Sequence, residues 1–195
     1  MSMPELKERI LSEGRNLGRG ILKIDSLLNH QLDPGLMVRM GQHLAAFFRE
    51  QGVQPDRILT AEISGIAPAL MTGIELGVPV VYARKKRPIT MSGPIFMEVA
   101  PSHTKGSDVT LMVSSEFLRA GEDVLIIDDF LATGQTLMAL ARMVGDAGSR
   151  LVGVGVVVEK TFEGGRDAMI QAGYDIPMYA LATITSMDGE DIQMA

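Results

Sequence analysis

The sequence predicts an α/β fold with a parallel core sheet and flanking helices. Short apolar runs rich in β-branched residues, such as 123–129 and 151–158, are typical of strands buried on both faces. Stretches with apolar residues at helical spacing alternate with these runs, which is the order expected of strand–helix–strand units. At 195 residues the chain fits about one domain, so we predict a single domain over residues 1–195.

The individual elements follow from periodicity and from residues that begin or end helices. Asp33 is a good N-cap and Pro34 suits a first helical position, so a helix begins there. Gly77, with Pro79 just beyond it, ends another helix. The predicted elements, in chain order, are helix 3–13, helix 34–51, strand 57–62, helix 66–76, strand 79–84, strand 123–129, a helix that contains Leu137–Val144, strand 151–158, helix 164–173 and strand 178–184.

One long connection interrupts this alternation. Residues 87–118 are rich in Pro, Gly, Ser and Thr, with strand-like pieces at both ends. A connection of roughly 25–30 residues inside an α/β domain is often a lid or a binding loop. We therefore predict a flexible lid at 87–118, and an ordinary surface hairpin is the alternative.

Composition and charge exclude several classes of site and partner. The chain has no Cys and three His, so it lacks a thiol nucleophile, and a dedicated transition-metal site is not expected. The formal net charge is −6, whereas diffuse binders of nucleic acid or anionic membranes are usually basic. The sequence has no run of about 18 apolar residues, and its polar start lacks a secretory signal. We expect a cytoplasmic protein with no nucleic-acid or membrane partner.

The strongest chemical motif spans residues 124–136, where four aliphatic residues lead to Asp128 and Asp129 and then to a Thr-Gly turn and a helix. The backbone N–H groups at such a helix start favour a phosphate, and Gly134 lets the backbone approach it closely. The two carboxylates suit ribose hydroxyls or Mg²⁺. This spacing predicts a ribose-phosphate ligand, and the alternative is that the two acids merely cap the helix.

Three shorter motifs also end predicted strands. Glu62–Gly65 opens a helix and can bind an anion there, although it can equally be a plain turn. The basic run 84–87 can stabilise a departing pyrophosphate, or it can be a solvated face. Lys160 can donate to a carbonyl oxygen and Phe162 can stack on a flat base; a salt bridge with a core aromatic residue is the alternative.

These motifs together resemble the type I phosphoribosyltransferase family over nearly the whole chain. Residues 124–136 resemble its signature for 5-phosphoribosyl 1-diphosphate (PRPP), and EISGIAPALMTG (62–73) and VVYARKK (80–86) occur in the expected order. NHQLDP (29–34) and EKTFEGGRD (159–167) resemble the xanthine branch of that family.

The resemblance implies transfer of 5-phosphoribosyl from PRPP to N9 of xanthine by a homodimer, with Mg²⁺ carried mainly by PRPP. It also implies the type I fold, with a small hood built from about 1–50 and 160–195. Asp128 and Asp129 are the implied catalytic residues. The implied binding residues are Ala132, Thr133, Gly134, Gln135, Thr136, Ser64, Gly65 and Lys85 for PRPP, and Leu22, Asn29, Lys160 and Phe162 for the base.

One position departs from the hypoxanthine-guanine branch of the family. That branch carries an aspartate, often proposed as a general base, where this chain has Ala132. The general base is therefore unassigned. A guanine or hypoxanthine phosphoribosyltransferase and a non-catalytic PRPP-sensing regulator are the alternative functions.

Overall fold

A six-stranded sheet lies at the centre of the computed structural model, which describes residues 3–101, 108–189 and 191–195. The helices and strands, in chain order, are α1 (Pro4–Glu13), β1 (Arg15–Asn16), β2 (Leu22–Lys23), α2 (Pro34–Glu50), β3 (Arg57–Ala61), α3 (Ile66–Leu76), β4 (Val80–Ala83), β5 (Ile95–Ala100), β6 (Val109–Ser114), β7 (Asp123–Leu131), α4 (Gln135–Asp146), β8 (Arg150–Lys160), α5 (Gly165–Gln171), β9 (Met178–Ser186) and β10 (Gln193–Met194). A π-helical turn covers Asp25–Asn29, and a 3-10 turn covers Thr161–Glu163. None of the helices in the described ranges is both long and apolar enough to cross a membrane.

The strands are ordered β10-β9-β8-β7-β3-β4, and every neighbouring pair is parallel except β10 with β9. The predicted α/β fold with a parallel core sheet is confirmed. Because the parallel strands run the same way, the carboxyl ends of β3, β4, β7 and β8 meet at one edge of the sheet. In open α/β sheets this is the edge outside which ligands bind.

Two hydrophobic cores cover the two faces of the sheet. Leu125 and Ile127 of β7 pack into the core that contains α1, α2 and α3. Val124 and Ile126 pack into the other core, with α4 and β6. Successive side chains of β7 therefore enter opposite cores, which explains why this strand is continuously apolar rather than alternating.

The contact between α2 and β8 depends on the ring of Phe48, which is fully buried. Two glycines of β8 make room for it, because a Cβ atom at Gly153 would lie 2.7 Å from the ring and one at Gly155 would lie 3.0 Å from it. The apolar run Leu151–Val158 thus contains glycines where the helix approaches the sheet most closely.

The helix ends agree with the sequence signals. The Asp33 carboxylate accepts a hydrogen bond of 3.1 Å from the Leu36 backbone N–H, and Pro34 is the first residue of α2. Gly77 ends α3 in the left-handed conformation, with φ of +74°.

Three strands, β7, β8 and β9, run past their predicted ends, and β9 ends at Ser186 rather than at residue 184. β7 continues to Leu131 because Phe130 pairs with Val158 and Leu131 with Glu159. β8 continues to Lys160, which pairs with Ile184 of β9. The prediction that β7 ends at Asp129 is therefore wrong by two residues, and both acids lie within a paired strand. The short strands β1, β2 and β10 and the π-helical turn were not predicted.

The connection at 87–118 contains an antiparallel hairpin of β5 and β6. Leu111 and Val113 of β6 are buried in the second core, and Arg84 and Met112 form an antiparallel bridge beside β4. The base of the hairpin is thus part of the packed domain. Residues 102–107, the tip of the predicted lid, lie outside the described residues, and the flexibility of the lid stays a prediction.

We expect Phe48→Ala to lower the free energy of unfolding by about 3–5 kcal/mol, because it leaves a cavity between α2 and β8 that Gly153 and Gly155 cannot fill. Urea denaturation measures this change. Phe117→Ala is the matched control, since Phe117 is 52% exposed, and it should cost less than about 1 kcal/mol. Equal losses in the two variants would contradict the assigned role of Phe48.

Candidate active site

A cleft of about 660 Å³ lies at the carboxyl edge of the sheet. The loops after β3 and β7, the end of β8, the segment around β1 and β2, and the hairpin all line it. All the predicted site residues except Phe162 line this cleft, namely Leu22, Asn29, Ser64, Gly65, Lys85, Asp128, Asp129, Ala132, Thr133, Gly134, Gln135, Thr136 and Lys160. Motifs that are 138 positions apart in the chain, at Leu22 and Lys160, thus meet in one cavity.

The two acids occupy the floor of the cleft in different ways. Asp128 is 3% exposed, and its Oδ1 lies 3.5 Å from the Thr60 hydroxyl, which donates to it. Asp129 Oδ1 accepts a hydrogen bond of 2.8 Å from the Phe130 backbone N–H. Burial raises the pKa of Asp128 well above its usual value, and the neighbouring Asp129 charge raises it further. Burial also raises the pKa of Asp129.

Gly65 allows the β3–α3 loop to pack directly on Asp128. A Cβ atom at Gly65 would lie 2.1 Å from Asp128 Oδ1 and 2.3 Å from Thr60 Oγ1. Any side chain at this position would displace the carboxylate. Gly65 of the predicted anion-binding segment Glu62–Gly65 is therefore also needed to leave space for the Asp128 carboxylate, which the sequence did not reveal.

The β7–α4 loop is suited to binding an anion, and the backbone of Gly165 packs against it. Gly134 has φ of +79°, and none of the described side chains caps the N-terminus of α4, so its first N–H groups are available to a ligand. The Gly165 N–H donates to the Ala132 carbonyl at 2.9 Å. A Cβ atom at Gly165 would lie 2.2 Å from that carbonyl oxygen, so only a glycine lets the two backbone segments approach this closely.

The basic run 84–87 divides into residues with different partners. Arg84 Nε lies 3.0 Å from Glu62 Oε2 in an ion pair, and the Arg87 guanidinium donates to the carbonyls of Met91 and Gly93. The Lys85 side chain lines the cleft, and its positive charge lowers the pKa of both Asp128 and Asp129. Lys85 is therefore the member of the run whose charge acts on the acids.

The other end of the cleft contains Lys160. Its Nζ donates to the Gly20 carbonyl, lies 3.6 Å from Glu163 Oε1 and lies 5.2 Å from the centre of the Phe130 ring. Burial lowers the pKa of Lys160, and the Glu163 carboxylate opposes that effect. The lysine is thus held between the end of β8 and the loop that joins β1 to β2.

Three of these placements differ from, or add to, the sequence hypothesis. Phe162 is 44% exposed and lies outside the cleft, whose aromatic residue is Phe130. Asn29 donates through Nδ2 to the Ser64 hydroxyl at 3.0 Å, which joins a predicted base-binding residue to a predicted PRPP-binding one. Glu163 lines the cleft and was not among the predicted site residues. Its position in the EKTFEGGRD motif was the available signal.

The comparisons with known proteins agree with this geometry. Residues 30–172 match the family described as the phosphoribosyl transferase domain. The chain belongs to this family. The predicted recognition of a phosphoribosyltransferase is therefore confirmed.

Similar proteins of this family carry the name xanthine phosphoribosyltransferase. One from Deinococcus deserti is 50% identical over 186 residues, which cover 95% of this chain and 94% of that protein. One from Pseudomonas aeruginosa is 42% identical over 191 residues, covering 98% of each chain. One from Listeria monocytogenes is 43% identical over 190 residues, covering 97% of each.

Solved adenine phosphoribosyltransferases share the fold. The enzyme of Thermoanaerobacter pseudethanolicus has a TM-score of 0.72 at 21% identity, with 91% of this chain and 99% of that chain covered. The enzyme of Giardia lamblia has a TM-score of 0.75 at 19% identity, with 95% and 99% covered. These likenesses support the type I phosphoribosyltransferase fold.

We expect Asp128→Asn to raise the free energy of unfolding of this phosphoribosyltransferase at pH 8. The pKa of Asp128 is raised by burial, so the carboxyl stabilises the folded state only while it is protonated, and that contribution is lost as the pH rises through its raised pKa. A neutral amide avoids this loss. The gain measured by urea denaturation should therefore shrink as the pH falls towards 4.

Asp123→Asn, at the other end of β7, is the control, because the pKa of Asp123 is shifted in the opposite direction from that of Asp128. The Arg150 guanidinium lowers the pKa of Asp123, so its carboxylate stabilises the folded state above its usual pKa. This substitution should not stabilise the protein at pH 8. A gain in both variants, or a gain in Asp128→Asn that is the same at pH 4 and pH 8, would contradict the burial argument.

Proposed function

We propose that this phosphoribosyltransferase transfers the 5-phosphoribosyl group of PRPP to N9 of xanthine, forming xanthosine 5′-monophosphate and pyrophosphate in purine salvage. Proteins named xanthine phosphoribosyltransferase match nearly the whole chain at 42–50% identity. The observation that carries the proposal is the combination of groups in one cleft, where the acidic pair, the β7–α4 loop, Lys85 and Lys160 all line the cavity.

PRPP fits this combination of groups. The backbone N–H groups of residues 132–136 hold the 5′-phosphate, and Asp128 and Asp129 orient the ribose hydroxyls. Ser64, Gly65 and Lys85 face the pyrophosphate. Mg²⁺ would be carried mainly by PRPP, and Asp128 and Asp129 offer oxygen atoms of the kind that would hold it; there it would supply positive charge against the pyrophosphate.

The transfer breaks the bond from ribose C1′ to the pyrophosphate oxygen and forms the bond from C1′ to N9 of the base, while the base loses the proton of its imidazole ring to the pyrophosphate or to solvent. Positive charge develops on the ribose in an oxocarbenium-like transition state. Burial favours the neutral forms of Asp128 and Asp129 in the free protein, whereas this positive charge favours the ionised forms. The methyl side chain of Ala132 cannot accept a proton, so it is not the general base.

The remaining features of the proposal are a lid, a dimer and a location. The predicted lid at 87–118 closes over the cleft and excludes water, which would otherwise hydrolyse PRPP. The protein is a homodimer, and the exposed apolar residues Leu70 and Ile74 of α3 support an interface there. The enzyme acts in the cytoplasm, on small molecules alone.

The direct test is to incubate the protein with PRPP and Mg²⁺ and with xanthine, guanine, hypoxanthine or adenine in turn, and to follow nucleotide formation. Xanthine should give the highest kcat/KM. A higher value for guanine or hypoxanthine would indicate the alternative enzyme. Binding of PRPP without nucleotide formation from any base would indicate a regulator.

We expect the double substitution Asp128→Asn with Asp129→Asn to lower kcat by roughly 10²–10⁴-fold in a protein that still folds, because two contacts to the charged transition state are lost. Steady-state assays and circular dichroism measure the two effects. Asp146→Asn, at the exposed end of α4, is the control and should leave kcat unchanged. A near-normal kcat in the double variant would remove both acids from the mechanism.

We expect Asn29→Ala to narrow the preference for xanthine over hypoxanthine by about 10-fold or more in kcat/KM. The Asn29 amide can donate to the C2 oxygen of xanthine, which hypoxanthine lacks, and such a bond is worth about 1–3 kcal/mol. The assay uses saturating PRPP and both bases. Asn16→Ala, outside the cleft, is the control. If both activities fall together, Asn29 supports the fold rather than contacting the base.

A further inference from the structure

Lys160 and Glu163 place a hydrogen-bond donor beside an acceptor in the lining of the cleft. Lys160 Nζ and Glu163 Oε1 are 3.6 Å apart, and the two side chains are 10% and 16% exposed. An ammonium has only donors, and a carboxylate has only acceptors. The lining therefore presents a fixed donor–acceptor pair to a ligand in the cleft.

This pair complements one edge of a 6-oxopurine. Xanthine, hypoxanthine and guanine each carry an acceptor, O6, next to a donor, N1–H. Adenine presents the opposite order, because its 6-amine donates and its N1 accepts. A donor–acceptor pair in the protein therefore matches the 6-oxopurines. With adenine it would place donor against donor at the 6-amine and acceptor against acceptor at N1.

We propose that Glu163 is a specificity-determining residue that accepts the N1–H of the base while Lys160 donates to O6. This inference rests on the proposed transfer to a purine, and it names the residue that would separate 6-oxopurines from 6-aminopurines. Phe130, whose ring centre lies 5.2 Å from Lys160 Nζ, supplies an apolar surface beside the pair.

The backbone on both sides holds the Glu163 carboxylate in place. Lys160 is paired in β8 with Ile184, and the 3-10 turn Thr161–Glu163 follows at once. Beyond the turn, the Gly165 N–H is bound to the Ala132 carbonyl. The segment that carries Glu163 is thus anchored at both ends, as a preorganised acceptor requires.

The loop between β1 and β2 packs against the same carboxylate. A Cβ atom at Gly20 would lie 2.9 Å from Glu163 Oε1, and Lys160 donates to the Gly20 carbonyl. A purely structural role for Glu163, as a support for this loop or for Lys160, is therefore the competing explanation. The two explanations differ in their dependence on the N1–H of the base.

The experiment compares xanthine with 1-methylxanthine, which lacks the N1–H, in the wild type and in Glu163→Ala. We expect Glu163→Ala to lower kcat/KM for xanthine by about 10-fold or more, with KM for PRPP changed by less than about 3-fold. The ratio of xanthine to 1-methylxanthine should narrow by about 10-fold. Glu8→Gln, on the exposed face of α1, is the control and should change none of these values.

A second variant retains the shape of the side chain. The amide of Glu163→Gln can turn its NH₂ group towards N1 of adenine, so the ratio of adenine to xanthine activity should rise by about 10-fold. If both substitutions leave the xanthine to 1-methylxanthine and adenine to xanthine ratios unchanged while overall activity falls, Glu163 only supports Lys160 or the loop, and the inference is wrong. Failure of the wild type to use xanthine would instead refute the proposed function.

Discussion

The placement of a buried carboxyl group beside a second, partly buried one at the carboxyl end of the central strand is the constraint on which this site depends. An unpaired buried carboxylate is costly, and Asp128 and Asp129 repel each other as well. The surroundings limit that cost locally. Thr60 donates to Asp128, Lys85 supplies positive charge, and Gly65 leaves the space that the carboxylate occupies. The two neighbouring loops are positioned by the same packing that holds the acids.

The segment after β8 connects the remaining parts of the site to this centre. Glu159, which is buried, forms a bidentate ion pair with Arg166, and Arg166 also donates to the Met178 carbonyl at 2.9 Å. This pair closes the turn that brings the Gly165 N–H to the β7–α4 loop. The EKTFEGGRD motif therefore shapes the backbone of the phosphate loop, while its Lys160 faces the cleft.

The sequence predicted the elements that its own periodicity and end signals specify. The helices at α2 and α3 agree within a residue, because Asp33, Pro34 and Gly77 act locally. Strand ends depend on neighbouring strands, so the extension of β7 past Asp129 was not predictable. That extension is what brings Phe130 to the cleft lining, where the sequence had suggested Phe162.

The candidate site shows the same difference between signals within one segment of sequence and contacts that depend on the fold. Residues within one linear motif, such as Asp128 to Thr136, were found because their spacing is itself the signal. The resemblance to the family already implied Lys85 within its basic run, and the structure adds the partners that occupy Arg84 and Arg87. Glu163 lies in the same motif as Lys160 but was missed, because the 3-10 turn that brings its carboxylate within 3.6 Å of Lys160 Nζ was not predicted.

The polar groups proposed to contact the base already have partners within the protein, and they keep further capacity to donate. Lys160 donates to Gly20, and Asn29 donates to Ser64. An ammonium has three N–H donors and a carboxamide NH₂ group has two, so each can also donate to a base without losing its internal bond. The two groups differ in the cost of a mismatched base, because Lys160 is 8% exposed whereas Asn29 is exposed and can donate to water instead. Lys160 is therefore the group at which a base without a matching acceptor loses most.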